Sequence, residues 1–231
     1  MQPSPMMSPA SPSQTIALAQ NRVLRNTYAL LALSMVPTVL GAWIGVQMNF
    51  SFFAGSPAIG FIAFLAIAFG FMFAIEKTKN SAMGVVVLLA FTFFMGLLLS
   101  RLIGGVLGLK NGASLIAMAG GGTAVIFAVM ASLAATIKRD LSGMGKALFI
   151  GMILLLVAGF ANIFLQMPAL MVALSVIAVG LFSAFLLYDL NRIITGGETN
   201  YISATLAVYL NLYNIFTNLL ALLGIFGGDR E

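Results

Sequence analysis

Histidine and cysteine are both absent from this chain of 231 residues. Without histidine there is no imidazole to activate a nucleophile, hold a metal or relay protons. Without cysteine there is no thiol catalysis, disulfide or thiolate metal site. The absence of cysteine also leaves the redox compartment of the protein undetermined. A phosphate-binding GxxxxGK[ST] loop is also missing. The sequence therefore predicts a protein that is not an enzyme and that uses no cofactor or metal.

Charge is scarce as well. The chain has 11 Lys and Arg and 6 Asp and Glu, whereas 61% of its residues are hydrophobic and the mean hydropathy is +1.09. A soluble domain has about a quarter of its residues charged. We therefore expect the lipid bilayer to be the solvent for most of the surface. The basic residues are scattered between apolar runs and form no patch, so nucleic acid is not an expected partner.

Long apolar runs recur along the chain, and each has close to the ~20 residues that cross a bilayer as a helix. The predicted fold is an all-α integral membrane bundle of seven transmembrane helices within residues 23–231. The predicted spans are 27–47, 57–75, 82–100, 113–136, 147–166, 168–195 and 200–226. The segment before them, residues 1–22, begins with a stretch rich in Pro and Ser, and it is predicted to be a flexible cytoplasmic tail.

The basic residues of the short connections predict the orientation. With the N-terminus inside, eight lie on the cytoplasmic side (Arg22, Arg25, Lys77, Lys79, Lys138, Arg139, Lys146 and Arg192). Three lie on the other side (Arg101, Lys110 and Arg230). This bias predicts a cytoplasmic N-terminus and, with seven spans, a C-terminus on the opposite side.

Glycine pairs at helix-packing spacing occur twice, as Gly41-xxx-Gly45 and Gly104-xxx-Gly108. This spacing lets helix backbones approach closely, and packing within one bundle is the favoured interpretation. The run Gly120-Gly121-Gly122 either packs likewise or loosens its helix.

Polar groups deep in the apolar spans converge on the last two helices. Asp189 lies inside the sixth span if that helix ends at Gly196-Gly197. A carboxylate in a transmembrane helix is costly and is a functional candidate by default. The alternative is a local pair with Arg192, three residues later on the same helical face.

Three asparagines, Asn211, Asn214 and Asn218, share one face of the seventh span at spacings of three and four residues. Such a stripe is expected to face other helices rather than lipid. Two interpretations stay open: hydrogen bonds that only hold the fold, or a polar pathway shared with Asp189 for protons or calcium.

The connection Gly196-Gly197-Glu198 joins these two helices. The glycines are expected to end the sixth helix, and Thr199 or Asn200 to cap the seventh, with Glu198 near its positive end. Glu198 is also a secondary candidate for a contact at the cytoplasmic face.

Five segments of the sequence resemble bacterial inner-membrane members of the Bax inhibitor (TMBIM) family: VLRNTY at 23–28, GGTA at 121–124, ANIFLQMPAL at 161–170, ITGGETNYI at 194–202 and LYNIF at 212–216. The resemblance extends from about residue 20 to the C-terminus. It implies a bundle in which six helices surround a central seventh. It also implies interaction with FtsH, a membrane-anchored ATP-dependent protease, as a slow substrate and modulator.

Some relatives in this family are pH-sensitive calcium leak channels gated by two aspartates in the last two helices. The first matches Asp189, but the second position is Asn211 here. Two carboxylates that share a proton form a pH-tunable latch, which one carboxylate facing an amide cannot form. The resemblance therefore favours protease modulation, with a calcium or proton leak as the alternative.

Overall fold

The computed structural model of the chain describes residues 12–50, 52, 55, 57–137 and 139–228. These residues form seven α-helices: α1 (Pro12–Gln47), α2 (Pro57–Thr78), α3 (Ala82–Leu107), α4 (Gly112–Thr136), α5 (Gly145–Leu165), α6 (Pro168–Thr195) and α7 (Tyr201–Phe226). A single 3₁₀ turn, Ser142–Met144, precedes α5. All seven helices are long and apolar enough to cross a membrane. The predicted all-α seven-helix architecture is confirmed.

The first helix starts earlier than expected. It begins at Pro12 rather than near residue 27, and proline is well suited to the first position of a helix. A Cβ placed on Gly196 would lie 2.8 Å from Gln20 Nε2, so residue 20 lies against the α6–α7 connection. The flexible tail predicted over 1–22 is therefore wrong from Pro12 onward, because good helix formers such as Leu18 and Gln20 continue the helix. Residues 1–11 lie outside the described residues.

The closest helix pair is α1 with α3, and glycine makes the contact possible. A Cβ on Gly96 of α3 would lie 3.0 Å from the backbone nitrogen of Ala42 and closer still to the carbonyl of Thr38. A Cβ on Gly45 would lie 2.5 Å from the Ser100 side chain. A Cβ on Gly41 would overlap the carbonyl oxygen of Phe93, so the close approach predicted for Gly41 and Gly45 is confirmed within the bundle.

The other glycine motifs behave differently. The nearest atom to a Cβ on Gly104 is Val46 Cγ2 at 3.9 Å, which is ordinary contact. Gly120 and Gly121 have open space where a Cβ would stand, and α4 runs through them as a continuous helix. The triple glycine therefore neither brings a backbone close nor breaks its helix.

Helix α7 is central, as the resemblance implied. It packs against α1, α2, α3, α4 and α6, whereas α5 packs on α6 and α2. Its buried side chains include Val208, Tyr209, Ile215 and Leu220, each at most 1% exposed.

Hydroxyl groups tie α1, α3 and α7 together in the middle of the bundle. Thr38 Oγ1 lies 2.9 Å from Tyr209 Oη and 3.2 Å from the carbonyl oxygen of Thr92. Tyr213 donates its hydroxyl hydrogen to the carbonyl of Met95 at 3.1 Å. These polar atoms are paired inside the protein, which removes the cost of burying them.

Candidate functional site

The candidate site lies where α6 and α7 pack side by side. Helix α6 ends at Thr195, and Gly196 follows it in the left-handed conformation with φ of 83°, which ends the helix as predicted. Asp189 is six residues before that end, about 9 Å along the helix axis. The carboxylate is therefore inside the sixth span, partly buried among apolar neighbours.

Asp189 is paired with α7 through one hydrogen bond. Asn211 Nδ2 donates to Asp189 Oδ2 at 2.7 Å, and Asn211 itself is only 5% exposed. A carboxylate in a span needs a donor, because an unpaired one costs several kcal/mol on transfer from water. The bond therefore provides a reason for an amide at position 211, and it couples the two helices that carry the site.

The alternative ion pair of Asp189 with Arg192 is not formed among the described residues. Arg192 Nη2 lies 3.9 Å from Glu198 Oε2 and donates to the carbonyl oxygen of Gly197 at 3.3 Å. The guanidinium thus turns to the α6–α7 connection, and its Cζ atom lies over the ring of Tyr188, 5.7 Å from the ring centroid.

The structure does not bring the other two asparagines to Asp189. Asn214 Nδ2 donates to the carbonyl of Leu210 at 2.8 Å, and Asn218 Nδ2 donates to the carbonyl of Asn214 at 2.8 Å. Both amides therefore bond within α7, four residues back along their own helix. The polar pathway through Asn211, Asn214 and Asn218 stays a prediction.

The α6–α7 connection is arranged by its side chains. Asn200 caps α7, with Oδ1 accepting from the backbone of Ile202 at 2.9 Å and of Ser203 at 3.2 Å. Glu198 Oε1 accepts from the backbone nitrogen of Asn200 at 2.9 Å. Glu198 thus fixes the start of α7; its role in a cytoplasmic contact stays a prediction.

Asn191 and Asn200 also hold the neighbouring connections in place, a role that was not predicted from the sequence. Asn191 is fully buried, donates to the carbonyls of Ile137 and Arg139 at 3.2 Å each, and accepts from the backbone of Leu141 at 3.1 Å. Asn200 Nδ2 donates to the carbonyl of Lys79 at 3.0 Å. The α2–α3, α4–α5 and α6–α7 connections therefore form one hydrogen-bonded layer, which we call the connection layer. A lone amide two residues from Asp189 gave no signal of this in the sequence.

One exposed carboxylate in this layer has a shifted pKa. Ser142 donates its hydroxyl and its backbone N–H to Asp140 Oδ1, at 2.5 and 2.9 Å. These bonds lower the pKa of Asp140 from its usual value. The carboxylate therefore stays ionised at neutral pH and stabilises the turn before α5.

Chemically, the site offers a single carboxylate with one amide donor. In the part of the chain that the structure describes, no three Asp or Glu side chains come together in a way that could hold a metal ion. The arrangement can exchange a proton with a water molecule or attract a single cation weakly.

Comparison with known proteins shows which family the chain belongs to. A family model described as "Inhibitor of apoptosis-promoting Bax1" matches residues 20–228. The chain belongs to this family. Within the Bax inhibitor family, it is 38% identical over 220 residues to the "Modulator of FtsH protease YccA" of Escherichia coli K12, covering 95% of this chain and 97% of the relative. It is also 37% identical over 214 residues to a protein of Neisseria meningitidis serogroup A, covering 92% and 94% of the two chains. The resemblance drawn from the five segments is confirmed.

Proposed function

We propose that this chain is a multi-pass protein of the bacterial inner membrane that modulates an FtsH-type ATP-dependent membrane protease, as inhibitor and slow substrate. The observation that carries the proposal is the 38% identity, over 95% of the chain, to a relative named as a modulator of FtsH protease. A second relative, from another strain of Escherichia coli, is named "Inner membrane protein YccA". The match over nearly the full length of both chains favours a shared role in the quality control of membrane proteins.

The orientation belongs to the same proposal: a cytoplasmic N-terminus and a periplasmic C-terminus. Lys and Arg side chains are concentrated beside the connection layer, and a cytoplasmic excess of such residues is the usual bias. At the other end of the bundle, Asn111 Nδ2 donates to the carbonyl of Gly227 at 2.5 Å, so the α3–α4 connection lies beside the C-terminal end of α7. The connection layer is then the face that a cytoplasmic ATPase meets.

The packing of α1 supports slow degradation. A protease that pulls on the N-terminal residues draws on α1 first, and α1 is the helix most closely packed against a neighbour, through Gly41, Gly45 and Gly96. Extraction must separate the α1–α3 interface before the rest of the bundle unfolds. A substrate that engages readily and unfolds slowly occupies the protease and spares other membrane proteins.

The test is co-purification with turnover. A C-terminally tagged copy is expressed in a bacterial host, crosslinked and purified, while the half-life of a known membrane substrate of FtsH is followed. Association together with a lengthened substrate half-life is the expected result. Deletion of residues 2–11 should slow degradation of the chain itself, and replacement of the same residues by a Gly/Ser segment of equal length should restore it. No association and an unchanged substrate half-life would overturn the proposal.

The bond between Asn211 and Asp189 favours a second function, a calcium or proton leak along the α6–α7 contact. It places a carboxylate and an amide at the buried interface of the two helices. Purified protein in vesicles loaded with a calcium or pH indicator would show flux that Asp189→Asn abolishes. Vesicles that remain tight over about pH 5 to pH 8, a range that spans the ionisation of perturbed carboxyl groups, would exclude the leak.

A further inference from the structure

A cleft separates α1 from α4 along much of the bundle. Of the described residues in these two helices, no two Cα atoms come within 8 Å, and the rings of Tyr28 and Phe127 meet at one end with centroids 5.7 Å apart. Between the helices lies a cavity of about 860 Å³ whose floor is α7, with Leu212 and Phe216, and part of α3.

The cleft opens sideways to the outer surface of the bundle. Its α1 wall includes Val39 and Trp43, which are 65% and 61% exposed, and its α4 wall includes Gly120 and the exposed Ala124. These residues continue the apolar exterior that faces lipid in a membrane. The cavity is thus continuous with the hydrocarbon region rather than with water.

The hydroxyl groups in the middle of the cleft are already paired. The hydroxyls of Thr38, Tyr209 and Tyr213 bond to one another or to carbonyls of α3, and Thr123 donates to the carbonyl of Ala119 at 2.8 Å. A water molecule needs two to four polar partners, and an apolar cavity without them stays dry or takes an apolar guest. The walls of the cleft therefore favour a hydrocarbon chain over water.

The dimensions decide between a lipid chain and a helix of another protein. From Tyr28 to Gln47 the cleft follows α1 for about 28 Å, so its mean cross-section is about 30 Å². A helix with side chains is about 10–12 Å across, which is a larger cross-section than the cleft offers. A single hydrocarbon chain, about 4–5 Å across at carbon contact distance, fits without moving α1 or α4.

The ends of the cleft indicate which leaflet supplies the chain. The Tyr28–Phe127 contact closes the end beside the connection layer. The other end carries Gln47, exposed and polar, and Trp43, the one tryptophan of the sequence. Tryptophan favours the headgroup level of a membrane, so this end is the mouth.

We propose that the α1–α4 cleft is a binding site for one acyl chain of a bilayer phospholipid, which enters from the leaflet at the Gln47 end and lies against α7. The chain acts as a wedge that keeps α1 and α4 apart and covers the one side of α7 between them. The carboxamide of Gln47 is placed to donate to the ester or phosphate oxygens of that lipid.

Photolabelling of the full chain tests the site. The protein is reconstituted in vesicles of phosphatidylethanolamine and phosphatidylglycerol that contain a small share of phosphatidylcholine with a diazirine in one acyl chain. After irradiation, labelled peptides are located by mass spectrometry. We expect label on Leu212 and Phe216 of α7, with a diazirine near the ester favouring Phe216 and one near the chain end favouring Leu212.

Matched glycine variants show whether the label depends on the cleft. Gly120 and Gly70 both have open space where a Cβ would stand, but only Gly120 lines the cleft. Gly120→Phe should lower α7 labelling several-fold, and Gly70→Phe on α2 should leave it unchanged. Absence of α7 label in the unaltered chain, or equal label in both variants, would overturn the proposal.

If Gly120→Phe fails to fold, photocrosslinking in cells tests the same site. A photoreactive benzoylphenylalanine replaces Leu212 in cells, and the crosslinked product is weighed. A mass increase equal to one phospholipid supports the site. A crosslink to another polypeptide would show that a helix occupies the cleft, and it would overturn the lipid assignment.

Discussion

Asn211 of α7 donates its amide hydrogen to the carboxylate of Asp189 on α6 across 2.7 Å, inside the membrane-spanning part of both helices. This hydrogen bond joins the two helices directly. Its removal leaves the carboxylate without that donor, whereas the neighbouring asparagines of α7 bond only within their own helix.

Asn211→Ala should lower the free energy of unfolding by about 1–3 kcal/mol, because a buried acceptor loses its donor. Asn214→Ala is the control, since its amide donates to a carbonyl of the same helix and its loss should cost less. Thermal unfolding of both variants in detergent, followed by circular dichroism, gives the comparison. Equal losses in the two variants would contradict a special role for the bond.

Asn211→Asp should introduce a pH-dependent leak, or increase an existing one. Two carboxylates at this distance cannot both ionise easily, so one proton is shared and lost as pH rises. Calcium entry into vesicles should then depend on pH, and it is measured from about pH 5 to pH 8. The double variant with Asp189→Asn restores a single carboxylate and should abolish the effect. The pKa of Asp140 is lowered, so that group is already ionised over this range and cannot cause the change.

Gly96→Val should destabilise the bundle by about 1–3 kcal/mol and shorten the half-life of the chain in cells that contain FtsH. The added side chain collides with the backbone of Thr38 and Ala42 and pushes α1 from α3. Gly105→Val on the same helix is the control, because nothing lies within 4 Å of its Cβ position. Pulse-chase turnover measures both. A half-life for Gly96→Val that matches the control would indicate that the α1–α3 contact does not limit extraction.

Asn191→Ala should loosen the α4–α5 connection, since three backbone groups lose their partner at about 1 kcal/mol each. The exposed Arg139 in that connection then becomes a faster site for trypsin. Cleavage should appear in inside-out vesicles and not in right-side-out ones. Asn218→Ala, remote from this connection and bonded within its helix, should leave the cleavage rate unchanged.

The orientation can be measured with single cysteines, because the chain has none of its own. Gly143→Cys, between α4 and α5, should react with a membrane-impermeant maleimide only from the cytoplasmic side. Gly55→Cys, between α1 and α2, should react only from the periplasmic side. Both positions are exposed and have room for a Cβ, so the two variants differ in side of the membrane and not in strain. The reverse pattern would overturn the proposed topology.

Most of the fold could be predicted from the sequence, because apolar length alone decides a transmembrane helix. The closeness of α1 to α3 was also partly visible in Gly41 and Gly45, although their partners Phe93 and Ser100 were not. The start of α1 at Pro12 was missed. The start of α1 is rich in Pro, Ser and Gln, a composition that is typical of a flexible tail. Beyond the first proline, however, the helix propensity of the residues permits a helix that continues into the span.

The candidate site was predictable in its residues and not in its pairing. Spacing placed Asn211, Asn214 and Asn218 on one face of a helix, but which amide reaches another helix depends on how α6 and α7 are rotated and on each rotamer. An amide can always bond to its own helix four residues back, as Asn214 and Asn218 do. Asn191 shows the converse: a residue with no sequence signal makes three bonds to a distant connection because the turn after α4 approaches it.

The central place of α7 has a consequence for biogenesis. Synthesis proceeds from the N-terminus, so the ribosome delivers α7 after the six helices that surround it. During that interval Asp189 is in α6 without its donor, and the side of α6 that later contacts α7 is open. The Asp189–Asn211 bond therefore forms only in a complete chain. A truncated or stalled product exposes an unpaired carboxylate in the bilayer, which distinguishes it chemically from a finished molecule.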